Sequence, residues 1–270
     1  MKHALSVPLA VALAVTVVAC VVVQQIVLTT VRAETSSASA ARSTPASVMK
    51  SDGAASYRLI DISHHDTVSD WSAVKKNVDG VYIKATESTN FVDPQLAAYA
   101  SAAIGADIPV GFYHYFQPTA DTANARAQAQ AFYAAVKGYA YRLVPVLDVE
   151  ESNSLTAAQV CADVKAFADE FQKLAGQSLM IYASPQFADT YLSDKSLESY
   201  PLWVAHYNVL TPRGTSTWST YSMWQYDDSV TVSGIGNPVD GDVATSRVFL
   251  PSSSASSGAA GARAQELMVR

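Results

Sequence analysis

The chain has 270 residues, of which 49% are apolar and 16% charged, so it is too apolar for intrinsic disorder and long enough to bury a core. Its formal charge of −6 argues against a dedicated nucleic-acid-binding protein. Its two cysteines, Cys20 and Cys161, are too few for a disulfide framework or a cysteine-rich zinc site.

Residues 1–33 have the pattern of an export segment. Lys2 precedes the long apolar run Ala4–Val23, and a signal-peptidase site ends at Ala33. We predict a cleaved signal peptide, with a retained signal anchor or a lipoprotein modified at Cys20 as the alternatives. All three predict a secreted or cell-surface protein that touches the membrane, if at all, only through this segment.

Two segments rich in Ser and Ala flank the middle of the chain. Residues 34–56 and 251–270 show no apolar period, which predicts a linker and a flexible tail. The remaining residues, 57–250, are predicted to form a single domain.

Within this domain, short apolar runs alternate with helical patterns. The predicted strands are Tyr57–Ser63, Val81–Ala85, Val110–Phe116, Leu143–Val149, Leu179–Ala183, Leu202–His206 and Ser222–Tyr226. The predicted helices are Asp93–Ile104, Thr119–Val136 and Thr156–Leu174. The third has the clearest limits, because Thr156 and Gln159 form a capping box and Gly176 ends the pattern. The alternation predicts parallel strands with crossover helices, and the loss of helical patterns after Tyr200 favours a barrel over an open sheet.

Polar and aromatic side chains lie at or just beyond the carboxyl ends of the predicted strands. In a β/α barrel these ends share one rim, where active sites lie. Our candidate site residues on this rim are Asp61, Glu87, Tyr113, Tyr115, Asp148, Glu150, Tyr182, Trp203, Tyr207, Gln225 and Asp240. There is no glycine-rich phosphate loop and no metalloprotease spacing of histidines, so we expect no nucleotide, metal ion or other cofactor.

Asp148 and Glu150 are the sharpest local feature. Two residues apart on a strand, their side chains point to the same face. Like charges held close raise the pKa of one partner, which suits a general acid. Paired carboxylates beside aromatic rings are typical of glycoside hydrolases, although two solvated acids at a strand end would give the same pattern.

Several motifs occur in the order found in one enzyme family. They are Asp61-Ile62-Ser63 with Asp70-Trp71, Ile83-Lys84-Ala85-Thr86-Glu87 with Asp93-Pro94, Gly111-Phe112-Tyr113-His114-Tyr115, Leu147-Asp148-Val149-Glu150, Tyr182-Ala183-Ser184, Leu202-Trp203-Val204-Ala205, Met223-Trp224-Gln225-Tyr226, and Gly234-Ile235 before Val239-Asp240. Together they resemble glycoside hydrolase family 25, the Chalaropsis-type lysozymes, from Leu59 to about Val243.

This resemblance implies a flattened (β/α)5(β)3 TIM-like barrel and muramidase activity on the β-1,4 bond from N-acetylmuramic acid to N-acetylglucosamine in peptidoglycan. By position, Glu150 is the general acid and Asp148 its partner carboxylate, while Asp61 and Asp240 complete an acidic floor. The other candidate residues are expected to contact the glycan. We predict retention of anomeric configuration through the substrate's acetamido group, no cofactor, and a monomer.

Two departures from the family pattern bear on substrate preference. Asp66-Thr67 stands where the family usually has Gln-Gly, and Ser88 where it often has Gly. Two other functions stay open at this stage: a catalytically inactive glycan-binding module, and another secreted barrel glycosidase such as a chitinase. The four acids argue against the first, and the lack of an Asp-x-x-Asp-x-Asp-x-Glu strand argues against the second.

Overall fold

The computed structural model describes residues 56–251. The predicted export segment, the linker apart from Ser56 and the tail apart from Pro251 lie outside the described residues. The strands are β1 (Tyr57–Ile62), β2 (Gly80–Glu87), β3 (Phe91–Val92), β4 (Val110–Tyr115), β5 (Val146–Asp148), β6 (Met180–Ala183), β7 (Leu202–Ala205), β8 (Met223–Val230) and β9 (Val239–Ala244). The α-helices are α1 (Trp71–Lys75), α2 (Leu96–Gly105), α3 (Thr122–Val136), α4 (Ala157–Ala175) and α5 (Pro185–Tyr191). None of the helices within residues 56–251 combines the length and the apolar character that a membrane crossing requires.

Eight of the strands close into a barrel in the order β1-β2-β4-β5-β6-β7-β8-β9, and β3 is a short hairpin partner of β2. Neighbouring strands are parallel from β1 to β8, whereas β9 is antiparallel to both β8 and β1. A helix follows each of the first five parallel barrel strands, and the last three have no α-helix between them. The predicted (β/α)5(β)3 fold is confirmed.

The period of two along each strand divides the apolar core into two layers. Outward side chains pack against the helices, as Ile60 and Ile62 of β1 do. Inward side chains at the start of the strands fill the base of the barrel, among them Leu59, Tyr82 and Trp203. Towards the carboxyl end the inward positions become polar, so the barrel is closed at the base and hydrophilic at the rim.

The capping signals of the longest helix are confirmed. The Thr156 side chain accepts the Gln159 backbone N–H of α4, the reciprocal capping bond is present, and Gly176 ends the helix with φ +69°. The sequence analysis missed the short helix α5, although Ser184 caps it and Pro185 occupies its first turn, a common helix start.

Three predicted starts are wrong by three residues. Helix α2 begins at Leu96 rather than Asp93, and the other two differences have local reasons. Helix α3 starts at Thr122 rather than Thr119, because Ala120 has φ +62° and the Asp121 side chain caps the Ala123 N–H. Strand β5 starts at Val146 rather than Leu143, since Pro145 has no N–H to pair. The sequence analysis also did not identify β3 and β9 as strands, and β3 has only two residues.

Gly111 is a further constraint on the inner layer. A Cβ atom there would lie 2.3 Å from Cε1 of Tyr82, whose buried ring is held by a 3.0 Å hydrogen bond to the Val144 carbonyl. We expect Gly111→Ala to lower the free energy of unfolding by about 1–3 kcal/mol through overpacking. Gly138→Ala is the control, because a Cβ added at Gly138 would meet no other atom within 4 Å. Urea denaturation measures both, and equal stabilities would contradict the expected clash.

Candidate active site

The carboxyl ends of the barrel strands surround a cavity of about 190 Å³. Its lining contains all the predicted site residues except Glu87 and Tyr207. The lining residues are Asp61, Ser63, His65, Lys84, Tyr113, Tyr115, Asp148, Glu150, Tyr182, Trp203, Gln225 and Asp240.

Asp148 ends β5, and Glu150 follows two residues later, with both side chains at the cavity. Asp148 is 7% exposed, and no hydrogen-bond donor of the described chain reaches its buried Oδ1. Burial raises the pKa of Asp148 well above its ordinary value, and the charges of Glu150 and Asp61 add to this. Desolvation of the carboxyl group, followed by the charge of Glu151, raises the pKa of Glu150. The pair therefore retains a proton to higher pH than an isolated carboxyl group does, as a general acid requires.

The floor of the cavity is formed where β1 and β9 pair. Asp61 lies directly opposite Asp240 in this antiparallel register, so the predicted proximity of the two acids at the barrel closure is confirmed. The pKa of Asp61 is raised, first by burial and then by the charge of Asp240. The pKa of Asp240 is raised to about 6, again chiefly by burial, with a smaller contribution from Asp66. The cavity thus concentrates negative charge where a positively charged transition state would be stabilised.

Gln225 connects Asp61, on the cavity floor, to two tyrosine hydroxyl groups through hydrogen bonds. Its Nε2 donates to Asp61 Oδ2 at 2.8 Å, and its Oε1 accepts from the Tyr182 hydroxyl at 2.7 Å. The Tyr207 hydroxyl also donates to Oε1. Tyr207, which we predicted to contact the glycan, is not among the lining residues and contacts one of them, Gln225.

Lys84 is a cavity residue that the sequence analysis did not select. Its Nζ donates to Glu87 Oε2 at 2.8 Å and lies 4.8 Å from the centroid of the Tyr115 ring. Glu87, predicted to contact the glycan, thus holds this lysine from outside the cavity lining. The positive charge of Lys84 partly offsets the rise in the pKa of both Asp148 and Glu150. Its position on the inward face of β2, two residues after Tyr82, was the available sequence signal.

Trp203 lines the cavity from a buried position. It is only 2% exposed, and its Nε1 donates to Asp242 Oδ1 at 2.9 Å. Asp242, which was also not selected as a candidate, is 1% exposed and lies two residues after Asp240 on β9. The Asp-x-Asp spacing, with both side chains on one face, was the signal for it.

Tyrosine hydroxyl groups supply neutral hydrogen-bonding groups around the acids. Burial raises the pKa of Tyr113 well above its ordinary value, and the pKa of Tyr115 is also raised, first by burial and then by Glu150. Both phenols therefore stay protonated at neutral pH. Rings with hydroxyl groups at their edge suit a sugar, which offers an apolar face and a polar perimeter.

The histidines of the barrel have structural partners. His114 is fully buried between Thr86 and Gln128, and burial lowers its pKa to about 4. The rings of His64 and His65 lie 3.9 Å apart in the turn after β1, and His64 Nδ1 contacts Asp93 Oδ2 at 2.7 Å. No group of three or more His, Cys, Asp or Glu side chains within residues 56–251 is arranged to hold a metal ion.

The carboxyl pair leads to a prediction for the pH dependence of any reaction that it catalyses as an acid and a base. Activity should fall at high pH as the pair loses its last proton, and at low pH as both groups become protonated. Glu151→Gln removes a charge that raises the pKa of Glu150, so the alkaline limb should move to lower pH. High salt should weaken this effect, because Glu151 is exposed. Profiles of kcat/KM for both proteins measure the shift, and an unchanged alkaline limb would contradict it.

The barrel and its paired carboxylates define a glycoside hydrolase. The model of "Glycosyl hydrolases family 25" matches residues 60–235, and the chain belongs to this family.

Relatives and a solved structure agree with this assignment. Lysozyme M1 of Streptomyces globisporus is 31% identical over 195 residues, which span 67% of this chain and 65% of that protein. The N,O-diacetylmuramidase of Chalaropsis sp. is 29% identical over 67% of this chain and 92% of its own length. The bacterial lysozyme structure from Streptomyces coelicolor superposes with a TM-score of 0.64 at 30% identity, covering 68% of this chain and 90% of that chain.

Proposed function

We propose that the chain is a lysozyme that hydrolyses the β-1,4 bond from N-acetylmuramic acid to N-acetylglucosamine in peptidoglycan. The observation that carries the proposal is the pair Asp148 and Glu150, which shares a cavity with tyrosine rings and has raised pKa values. The names of the relatives, lysozyme and N,O-diacetylmuramidase, support the same substrate.

In the proposed reaction, Glu150 gives its proton to the glycosidic oxygen as the bond to the anomeric carbon breaks. The carbonyl oxygen of the substrate's 2-acetamido group attacks the anomeric carbon, and Asp148 accepts the hydrogen bond of the acetamide N–H. Water then opens the cyclic intermediate, with the Glu150 carboxylate taking the proton. Asp61 and Asp240 stabilise the positive charge that develops on the sugar ring. Two displacements at one carbon retain its configuration.

Mass spectrometry of the fragments released from purified peptidoglycan tests the proposal. Fragments with muramic acid at the reducing end are expected, because the bond on that side of the sugar is cleaved. Fragments with reducing N-acetylglucosamine would identify a different glycosidase, and release of soluble sugars from chitin in parallel would indicate a chitinase. Binding to peptidoglycan without any release would indicate a glycan-binding module.

We also propose that the protein is bacterial, is secreted, and acts as a monomer outside the cell. Peptidoglycan lies outside the cytoplasmic membrane, and the apolar run Ala4–Val23 is suited to the export machinery. Amino-terminal sequencing of extracellular material tests the processing: Glu34 at the start indicates release, a lipid on Cys20 a lipoprotein, and an intact start in the membrane an anchor. Light scattering tests the monomer.

The domain limits are part of this proposal. Residues 57–250 should fold and cleave peptidoglycan as well as the full chain, since the flanking segments contain few apolar groups for a core. Equal melting temperatures and specific activities are expected. A clear loss of either would show that a flanking segment contributes to the domain.

A further inference from the structure

Asp242 is buried beneath the cavity floor and takes no part in the reaction proposed above. Its side chain is 1% exposed, and Oδ1 accepts the Trp203 Nε1 hydrogen bond at 2.9 Å. The other oxygen, Oδ2, is also buried, and within residues 56–251 no N–H or O–H group is placed to donate to it. Burying a charged carboxylate oxygen without a hydrogen-bond donor costs free energy, which favours the protonated form of Asp242.

The neighbouring acid is Asp61, because Asp242 pairs with Leu59 of β1, two residues before Asp61 on the same face of the strand. The two carboxyl groups are close enough to change each other's pKa. Two carboxyl groups held this close favour the state in which one of them keeps a proton. Asp61 borders the cavity and accepts the Gln225 Nε2 hydrogen bond, which favours the anion there. Asp242 lies deeper, which favours the neutral acid.

The charges around Asp242 favour the same assignment. The titratable groups that act on it are Asp61 of β1, Asp240 of its own strand and Tyr82 of β2, and none of these is a cation. Burial and the charge of Asp61 raise the pKa of Asp242 well above its ordinary value, and the Trp203 hydrogen bond only partly offsets this.

We infer that Asp242 is a protonated positioning residue that donates its carboxyl O–H to Asp61 and holds Asp61 as an oriented anion at the cavity floor. Asp61 then has two hydrogen-bond donors, Gln225 from β8 and Asp242 from β9. The antiparallel pair β8–β9 thereby fixes the orientation of the Asp61 carboxylate. The catalytic part of this inference rests on the proposed function; the protonation of Asp242 does not.

Two neutral substitutions at Asp242 test whether its side chain must donate a hydrogen bond to Asp61. Asp242→Asn keeps the shape, since its carbonyl can accept from Trp203 and its amide can donate to Asp61. Asp242→Leu has similar size and can do neither. Loss of a hydrogen bond to a charged group predicts a kcat for Asp242→Leu about 10- to 150-fold below that of Asp242→Asn, with KM much less affected. If the two variants have equal kcat values, or if the asparagine variant is the less active, Asp242 does not act as a donor.

Stability against pH gives a second test that needs no substrate and only the asparagine variant. A carboxyl group with a raised pKa binds more protons in the folded than in the unfolded protein, so its contribution makes the free energy of unfolding fall as pH rises from the ordinary carboxyl range to the raised pKa. The asparagine side chain does not titrate, so the variant lacks this contribution to the pH dependence of stability. The stability of Asp242→Asn relative to wild type should therefore increase from about pH 4.5 to about pH 8, as measured by urea denaturation.

A relative stability that does not change with pH would overturn the inference. Failure of the wild-type protein to release muropeptides would instead contradict the proposed function. In that case the denaturation experiment would still decide the protonation of Asp242.

Discussion

Replacing Glu150 with glutamine is expected to lower kcat on peptidoglycan by about 10²- to 10⁴-fold, because the leaving oxygen loses its proton donor. The fold should be retained. Glu150 lies exposed at the mouth of the cavity, and the nearly isosteric amide introduces no charge. The measurement is the rate of muropeptide release by purified protein, with circular dichroism to verify folding.

Glu151→Gln is the matched control for this substitution. Glu151 is the adjacent residue, is exposed and does not line the cavity, so its loss should change kcat at the pH optimum by no more than about threefold. If Glu150→Gln retained activity within tenfold of wild type, another group would have to supply the proton.

Asp148→Asn should separate activity from stability. The substitution removes the carboxylate that would orient and stabilise the acetamido group, and loss of one such electrostatic contact costs about 10²- to 10³-fold in kcat. Stability should move in the opposite direction. Burial raises the pKa of Asp148 and one oxygen lacks a donor, so a neutral side chain should raise the free energy of unfolding at pH 7. Kinetics and urea denaturation of the same preparation measure both effects.

The stereochemical course tests the role given to Asp148 in this reaction. Proton NMR of the first-formed product should show the β-anomer of the substrate retained. An inverted anomer would contradict assistance by the acetamido group, as would a sugar trapped covalently on an aspartate. Lower stability of Asp148→Asn at pH 7 would contradict the electrostatic strain argued for this site.

The sequence by itself determined the local elements and the chemical class of the site. Alternating apolar runs and helical patterns predicted a β/α barrel, and Thr156, Gln159 and Gly176 set the limits of α4. The spacing of Asp148 and Glu150 predicted two carboxyl groups on one face, and both line the cavity. These features depend on residues close together in the chain, so periodicity and capping rules reveal them.

Tertiary structure decided which strand ends meet and which side chains lose water. Gln225 reaches Asp61 across 164 positions of sequence, and Trp203 pairs with Asp242 from a strand two places away. Lys84 lines the cavity for the same reason, while Asp242, Glu87 and Tyr207 each contact a residue that lines it. A pKa depends on burial and on charges from other strands, and neither is fixed until the barrel closes through the antiparallel pairing of β9 with β1.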